Sequence, residues 1–149
     1  GGQTSFLTEE LQFNSQIVTY SGAFYRGVSL DDTTFNVIVV PTPAVSLQEA
    51  EDAMDAAIAK FLEVGPDPEQ LERIKLQIRA ELIYQRDDVD RIANRYGQAL
   101  TSGLTVEDVK AWPDVLQAVT EEDILQAARD LFDRRASVTG WLMREEVTQ

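Results

Sequence analysis

Residues 17–25 read IVTYSGAFY and residues 34–40 read TFNVIVV, and these two runs decide the fold. Both are rich in β-branched and aromatic residues, which suit a pleated, packed surface. Between them, Arg26-Gly27 through Asp31-Asp32 supplies turn chemistry. The two runs therefore read as strands joined by a tight connection. On the first, Ile17, Thr19, Ser21, Ala23 and Tyr25 share one face and Val18, Tyr20, Gly22 and Phe24 the other. Neither face is clearly polar, which predicts burial on both sides. Pro41 and Pro43 are expected to stop the second strand, because proline cannot donate to a sheet ladder.

Upstream, Gly1-Gly2 is a flexible entry, and Thr4 or Ser5 can cap a short helix carrying Phe6, Leu7 and Leu11. Asn14-Ser15 ends it. Downstream the pattern turns helical. Ser46 and Glu49 have capping-box spacing, ahead of a stripe of Ala50, Met54, Ala57, Ile58, Phe61 and Leu62. Gly65 stands where a C-cap belongs. Asp67 and Pro68 restart a helix with Leu71, Ile74, Ile78 and Leu82, and Asp87-Asp88 marks a break. A further stripe, Val89, Ile92, Ala93, Tyr96 and Leu100, closes at Ser102-Gly103. Thr105 caps a shorter helix with Val109 and Trp112, which Pro113 is expected to interrupt, with Trp112 anchoring its end. Thr120 caps the last helix. Residues 137–143 read as a final strand and residues 144–149 as a fraying polar tail.

The fold class is α+β, an antiparallel-rich sheet covered by several helices. The strand count is low for a self-sufficient sheet, and the chain opens in a glycine-rich turn. The expectation is one partial domain over residues 1–149, truncated at its N-terminus.

Composition narrows the chemistry. The chain holds 149 residues, 44% of them hydrophobic, enough for a core. It has no cysteine and no histidine, so it can build neither a thiolate or imidazole zinc site nor a Ser-His-Asp triad by itself. A formal net charge of −13 opposes binding to nucleic acid or an anionic membrane. It reads as a solubilising surface, the sharper alternative being attraction of a basic peptide or partner. No apolar run approaches the length of a membrane span.

The remaining clusters read structurally. Arg79, Glu81, Arg86, Asp87, Asp88, Asp90, Arg91 and Arg95 suit i,i+4 ion pairs on a solvated face. Glu9-Glu10 and Glu121-Glu122-Asp123 lie in first helical turns, where the dipole favours negative charge; Glu145-Glu146 in the tail is a weaker cluster still. Ser5, Ser21 and Ser29 have no histidine to activate them, and Lys60, Lys75 and Lys110 form no Ser-x-x-Lys pattern. Gly1-Gly2 lacks the later glycine and lysine of a phosphate loop. Trp112 and Trp141 read as core or edge aromatics rather than a ligand cage.

Taken in order, GGQTSFLTEEL (residues 1–11), IVTYSGAFYRG (17–27), the run from DDTTFNVIVV through EQLERIK to RAELIY (31–84), ANRYGQALTSG (93–103), AVTEEDILQAARDLF (118–132) and VTGWLM (138–143) resemble one family. It is the C-terminal, non-zinc domain of the pitrilysin/insulinase-type zinc metallopeptidases, the M16 family, with its LuxS/mitochondrial processing peptidase-like fold. The resemblance implies paired homologous domains clamped around a peptide chamber. Zinc is held in the N-terminal zinc-bearing domain by a His-x-x-Glu-His motif and a distal glutamate. Nothing in this sequence matches that motif, so the resemblance implies no metal here, zinc in the parent's other half, and that half or a homologous subunit as partner. Peptide is the implied substrate and, for bacterial members, the periplasm the implied compartment.

The resemblance also implies an arginine and a tyrosine, seven positions apart, that hold the substrate carbonyl. Tyr20 matches the tyrosine. The arginine is unmatched: Gln12 takes its place if one residue is inserted, Phe13 if none is, and Arg26 does not fit the spacing. Tyr20 reads equally as a half-buried strand tyrosine. Two functions follow, part of a peptidase that positions substrate, or a catalytically inactive scaffold or binding subunit.

Overall fold

A computed structural model describes residues 5–143, the side chain of Arg86 apart. The Gly1-Gly2 entry, Thr4 as a cap, Glu145-Glu146 and the tail 144–149 lie outside the described residues. Helical turns start at Phe6–Thr8 and widen at once into a π-helical stretch, Glu9–Asn14; together they form α1. The Ser15 N–H donates to the Glu10 carbonyl, five residues back, at 3.1 Å. Gln16 then takes a left-handed φ of 56°, and the Ile17 N–H reaches the Leu11 carbonyl at 3.1 Å. That closure ends the helix and aims the chain into the sheet.

Strand β1 (Val18–Tyr25) pairs antiparallel with β2 (Phe35–Pro41). Pro41 is the last residue of β2 rather than the first beyond it, tolerated because its nitrogen faces the open edge while the next N–H, of Thr42, donates to the Ile17 carbonyl at 2.9 Å. Val18 faces Pro41 but Tyr20 faces Val40, so β1 carries one extra residue, Thr19, in a bulge. The Thr19 hydroxyl donates to the Val40 carbonyl at 3.1 Å. The bulge shifts the alternation by one: Val18 and Ser21, three apart, are both buried. Beyond it Ser21, Ala23 and Tyr25 point toward the helices, and Tyr20, Gly22 and Phe24 point away. The expectation of burial on both faces fails, since Tyr20 and Phe24 are each 54% exposed.

Five helices follow: α2 (Leu47–Val64), α3 (Pro68–Tyr84), α4 (Val89–Thr101), α5 (Val106–Ala118) and α6 (Glu121–Leu131). Their starts are chemically explicit. Ser46 with Glu49, Thr105 with Asp108 and Thr120 with Asp123 all form two-way capping boxes, while Asp67 and Asp88 accept from first-turn N–H groups. The break at Asp87-Asp88 is a single 3₁₀ turn, Gln85–Asp87, before Asp88 caps α4. Pro113 does not interrupt α5, which runs through it. Its missing N–H leaves the Val109 carbonyl without the usual helical donor. The Thr105 box and the packing of α5 against α3 and α4, with Val109 buried, offset that loss. Trp112 therefore sits mid-helix, half exposed, and anchors no helix end.

The core lies where α1, β1, β2 and α2 meet: Leu11, Val18, Ala50 and Ala57 are buried, with Phe6, Leu7, Val39 and Met54 packed on them. Helix α6 lies against α2 and reaches the start of β2, where Phe132 meets Phe35 edge to face at 5.5 Å. Helices α3, α4 and α5 form a second group.

Residues 137–143 are not a strand, and among the described residues the sheet has two. The backbone is extended at Ser137, but a strand also needs a neighbour to exchange hydrogen bonds with. This segment and the turn before it are instead tied by side chains to α2: Arg134 Nη1, in the turn, lies 2.9 Å from Asp55 Oδ2, and the Trp141 indole donates to Glu51 Oε2 at 2.8 Å. Val138 and Leu142 are almost fully exposed.

The caps make acid sensitivity predictable. In Glu49 the Ser46 N–H and then its hydroxyl hold the carboxyl below its ordinary value; in Asp108 the Thr105 N–H and hydroxyl do so. In Asp123 the Thr120 hydroxyl leads, followed by its N–H. A depressed folded-state pKa contributes stability that is complete above the unfolded pKa and lost as pH falls through the folded one. Melting temperature should therefore hold above about pH 5 and fall below about pH 4. Thr120→Ala should cost about 1 kcal/mol at neutral pH, and a pH series of thermal melts with and without it checks both statements.

Candidate functional site

The residues expected to act lie around β1, on opposite sides of it. The bulge turns Tyr20 outward. It shares the solvent face of the hairpin with Phe24, Ile38 and Val40, which are 54%, 45% and 45% exposed. Among the described residues Tyr20 Oη has no hydrogen-bond partner, and it presents a donor on a mainly apolar face whose other polar side chain is Asn36, opposite Phe24.

Gln12 lies on the other side. Its Nε2 donates to Ser21 Oγ at 2.8 Å, beneath the strand. Ser21 also shares a hydrogen bond with Thr8 Oγ1 at 3.4 Å, and Thr8 with Ser5 Oγ at 2.9 Å. Thr8 and Ser21 are 5% and 7% exposed, so the chain of hydroxyls is a buried link between α1 and β1. No base adjoins either serine, and the network holds structure rather than a nucleophile. Arg26, at the start of the loop after β1, is exposed.

Inside the hairpin lies an apolar cleft of about 590 Å³ between β1, β2, α1, α2 and α6. Phe6, Tyr25, Phe35, Phe61 and Phe132 line it, and Phe6 meets Phe61 edge to face at 5.4 Å. It can hold apolar side chains and offers no charged group for chemistry.

The carboxylate clusters are spent on structure. Glu10 pairs with Lys60 at 2.8 Å, Asp123 caps α6, and Glu122 lies 3.6 Å from Arg129. In the charge-dense stretch Arg91 pairs with Asp88 at 3.1 Å, and the Arg95 guanidinium sits 5.8 Å from the centre of the Tyr96 ring. Asp133 is held below the ordinary carboxylate value by the Arg135 guanidinium and then its N–H. Among the described residues no group of three or more carboxylates is placed to hold a metal ion, and the chain has no histidine or cysteine. The donor set does not fit zinc. No helix among the described residues is long and apolar enough to cross a membrane.

The family model of the peptidase M16 inactive domain matches residues 1–78, just over half of the chain. The chain belongs to that family. The match covers α1, both strands and α2, the whole setting of Tyr20 and Gln12. A crystal structure of a protease from Helicobacter pylori has the same fold as this M16 domain: TM-score 0.79 over 89% of the chain, at 16% identity. The chain spans about a third of that protein, 32% of its length. A search of curated proteins finds no match. The M16 inactive domain is thus part of a peptidase-like protein, and among its described residues no group is placed to hold a metal ion.

Sequence reasoning missed three things: the bulge at Thr19, the docking of the half-buried Gln12 amide on Ser21, and the aromatic cleft. Only the second left a trace, a serine in the middle of a strand rich in β-branched and aromatic residues, which needs a partner once it is buried. Removing that partner is the test. Ser21→Ala would leave Thr8 and the Gln12 amide short of a bond in the interior and should cost about 1–3 kcal/mol. Urea unfolding of the purified protein reads the loss directly, and an unchanged midpoint would mean that water replaces the hydroxyl.

Proposed function

We propose that this M16 domain forms the non-zinc half of the peptide-binding chamber of a zinc-dependent peptidase and helps to position substrate for hydrolysis. The metal belongs to the N-terminal zinc-bearing domain or a homologous subunit, and this chain supplies no ligand to it. Its contribution is a surface. The observation that carries the reading is the Tyr20 phenol, displayed on the outward, apolar face of the hairpin by the bulge. Placed against the scissile carbonyl, a phenol O–H donates a hydrogen bond that strengthens as charge develops on the oxygen. Phe24, Ile38 and Val40 would hold the peptide's apolar side chains beside it.

Gln12, which takes the place of the family's arginine if one residue is inserted, carries no charge and directs its amide into the protein, and Phe13, which takes it if none is, is no cation either. That supports a second reading, a catalytically inactive scaffold that binds peptide on the same face without cleaving it. The two readings part in the full-length protein. Under the first, Tyr20→Phe lowers kcat by about 10²–10³-fold, the usual cost of losing one oxyanion donor, while the melting temperature holds. Equal loss of turnover and stability would make the hydroxyl structural. Peptide binding without any hydrolysis, measured by calorimetry beside a cleavage assay, would select the scaffold.

A further inference from the structure

Tyr20 does not stand away from its strand. A Cβ on residue 22 would lie 2.6 Å from the phenol oxygen, 3.1 Å from Cζ and 3.3 Å from Cε1. The first is closer than a side-chain carbon approaches another atom and the other two are tight, so the ring lies along the strand across the bare backbone of Gly22. The geometry follows from the pleat. Residues two apart share a face, and a tyrosine side chain is long enough to span that step. Tyr20 pairs with Val40 and Gly22 with Ile38, so the ring occupies the outward face between apolar neighbours.

Gly22 is not required by its own backbone. Among the described glycines only Gly65 and Gly103 have left-handed φ, and Gly22 lies in regular strand paired with Ile38. A glycine in such a place weakens the strand. What its absence of a side chain provides is room for one object, the Tyr20 ring. We propose that Gly22 is a positioning residue: its missing side chain is the seat that fixes the Tyr20 phenol on the outward face of the hairpin. This rests on the reading of Tyr20 as the donor to the substrate carbonyl. Without the seat the ring rotates about its two side-chain torsions, and the phenol oxygen leaves its place while the fold stays intact.

The competing explanation is structural, an aromatic ring covering a strand glycine to shield its backbone. Gly22→Ala separates the two, because the clash falls on the free end of a side chain and not on backbone. In the full-length protein, with tyrosine labelled by fluorine on the ring, the variant should shift the Tyr20 resonance and hold or raise the melting temperature. On a peptide substrate kcat should fall about ten- to a hundredfold, the scale of a displacement near 1 Å, with KM little changed. The double variant Tyr20→Phe with Gly22→Ala should be no slower than Tyr20→Phe alone. An unmoved resonance would overturn the seat, as would unfolding of the alanine variant. So would full turnover in Gly22→Ala beside a loss in Tyr20→Phe. Full turnover in Tyr20→Phe itself removes the donor reading, and with it the catalytic purpose of the seat.

Discussion

The arrangement depends on one extra residue in a strand. Thr19 has no opposite number on β2, and its hydroxyl satisfies the Val40 carbonyl. Because side chains alternate with period two, that single insertion exchanges the faces of everything beyond it. Ser21 turns in and Tyr20 turns out. The inward serine then needs polar company, which α1 provides through Thr8 and Gln12. Bulge, buried network and π-helical turn are parts of one solution: the widened end of α1 carries Gln12 where its amide reaches the strand.

The rest of the molecule holds that hairpin with little interior. Four buried side chains define the core around it, and two of them are alanines. Small residues let α2 lie close to the strands, while larger ones such as Phe6 and Met54 fill the margins. The helices are secured at their starts instead, by carboxylates and hydroxyls that close each first turn. This use accounts for part of the acidic excess, and it places that charge at helix ends rather than in a site. Apolar surface left over is considerable. The outward face of the hairpin and residues 138 and 142 expose aliphatic and aromatic groups of the kind that mark contact surfaces.

Helix boundaries were legible because their signals are local. Ser46 and Glu49, Asp67 and Pro68, Thr105, and Thr120 each act within four residues of themselves, and each cap forms as its spacing predicts. The two strands were legible for the same reason, from residue type, but the link expected to be tight is an irregular loop over residues 26–34. Non-local choices were not. Residues 137–143 have strand composition, but a strand is a relation between two segments. This one is bound to α2 through Trp141, and through Arg134 in the turn just before it, instead. Pro113 reads as a stop, yet packing around Val109 carries α5 past it.

The candidate site divides along the same line. The sequence alone determined the α+β class, the capped helices, the lack of any histidine or cysteine for a metal, and Tyr20 as the residue to examine. Only the tertiary structure decided which way Tyr20 faces, that Gln12 is turned inward onto Ser21, and that Gly22 lies under the phenol ring. The physical reason is the bulge. Register is set by how one strand meets another, so no pattern within β1 alone could show where the alternation slips.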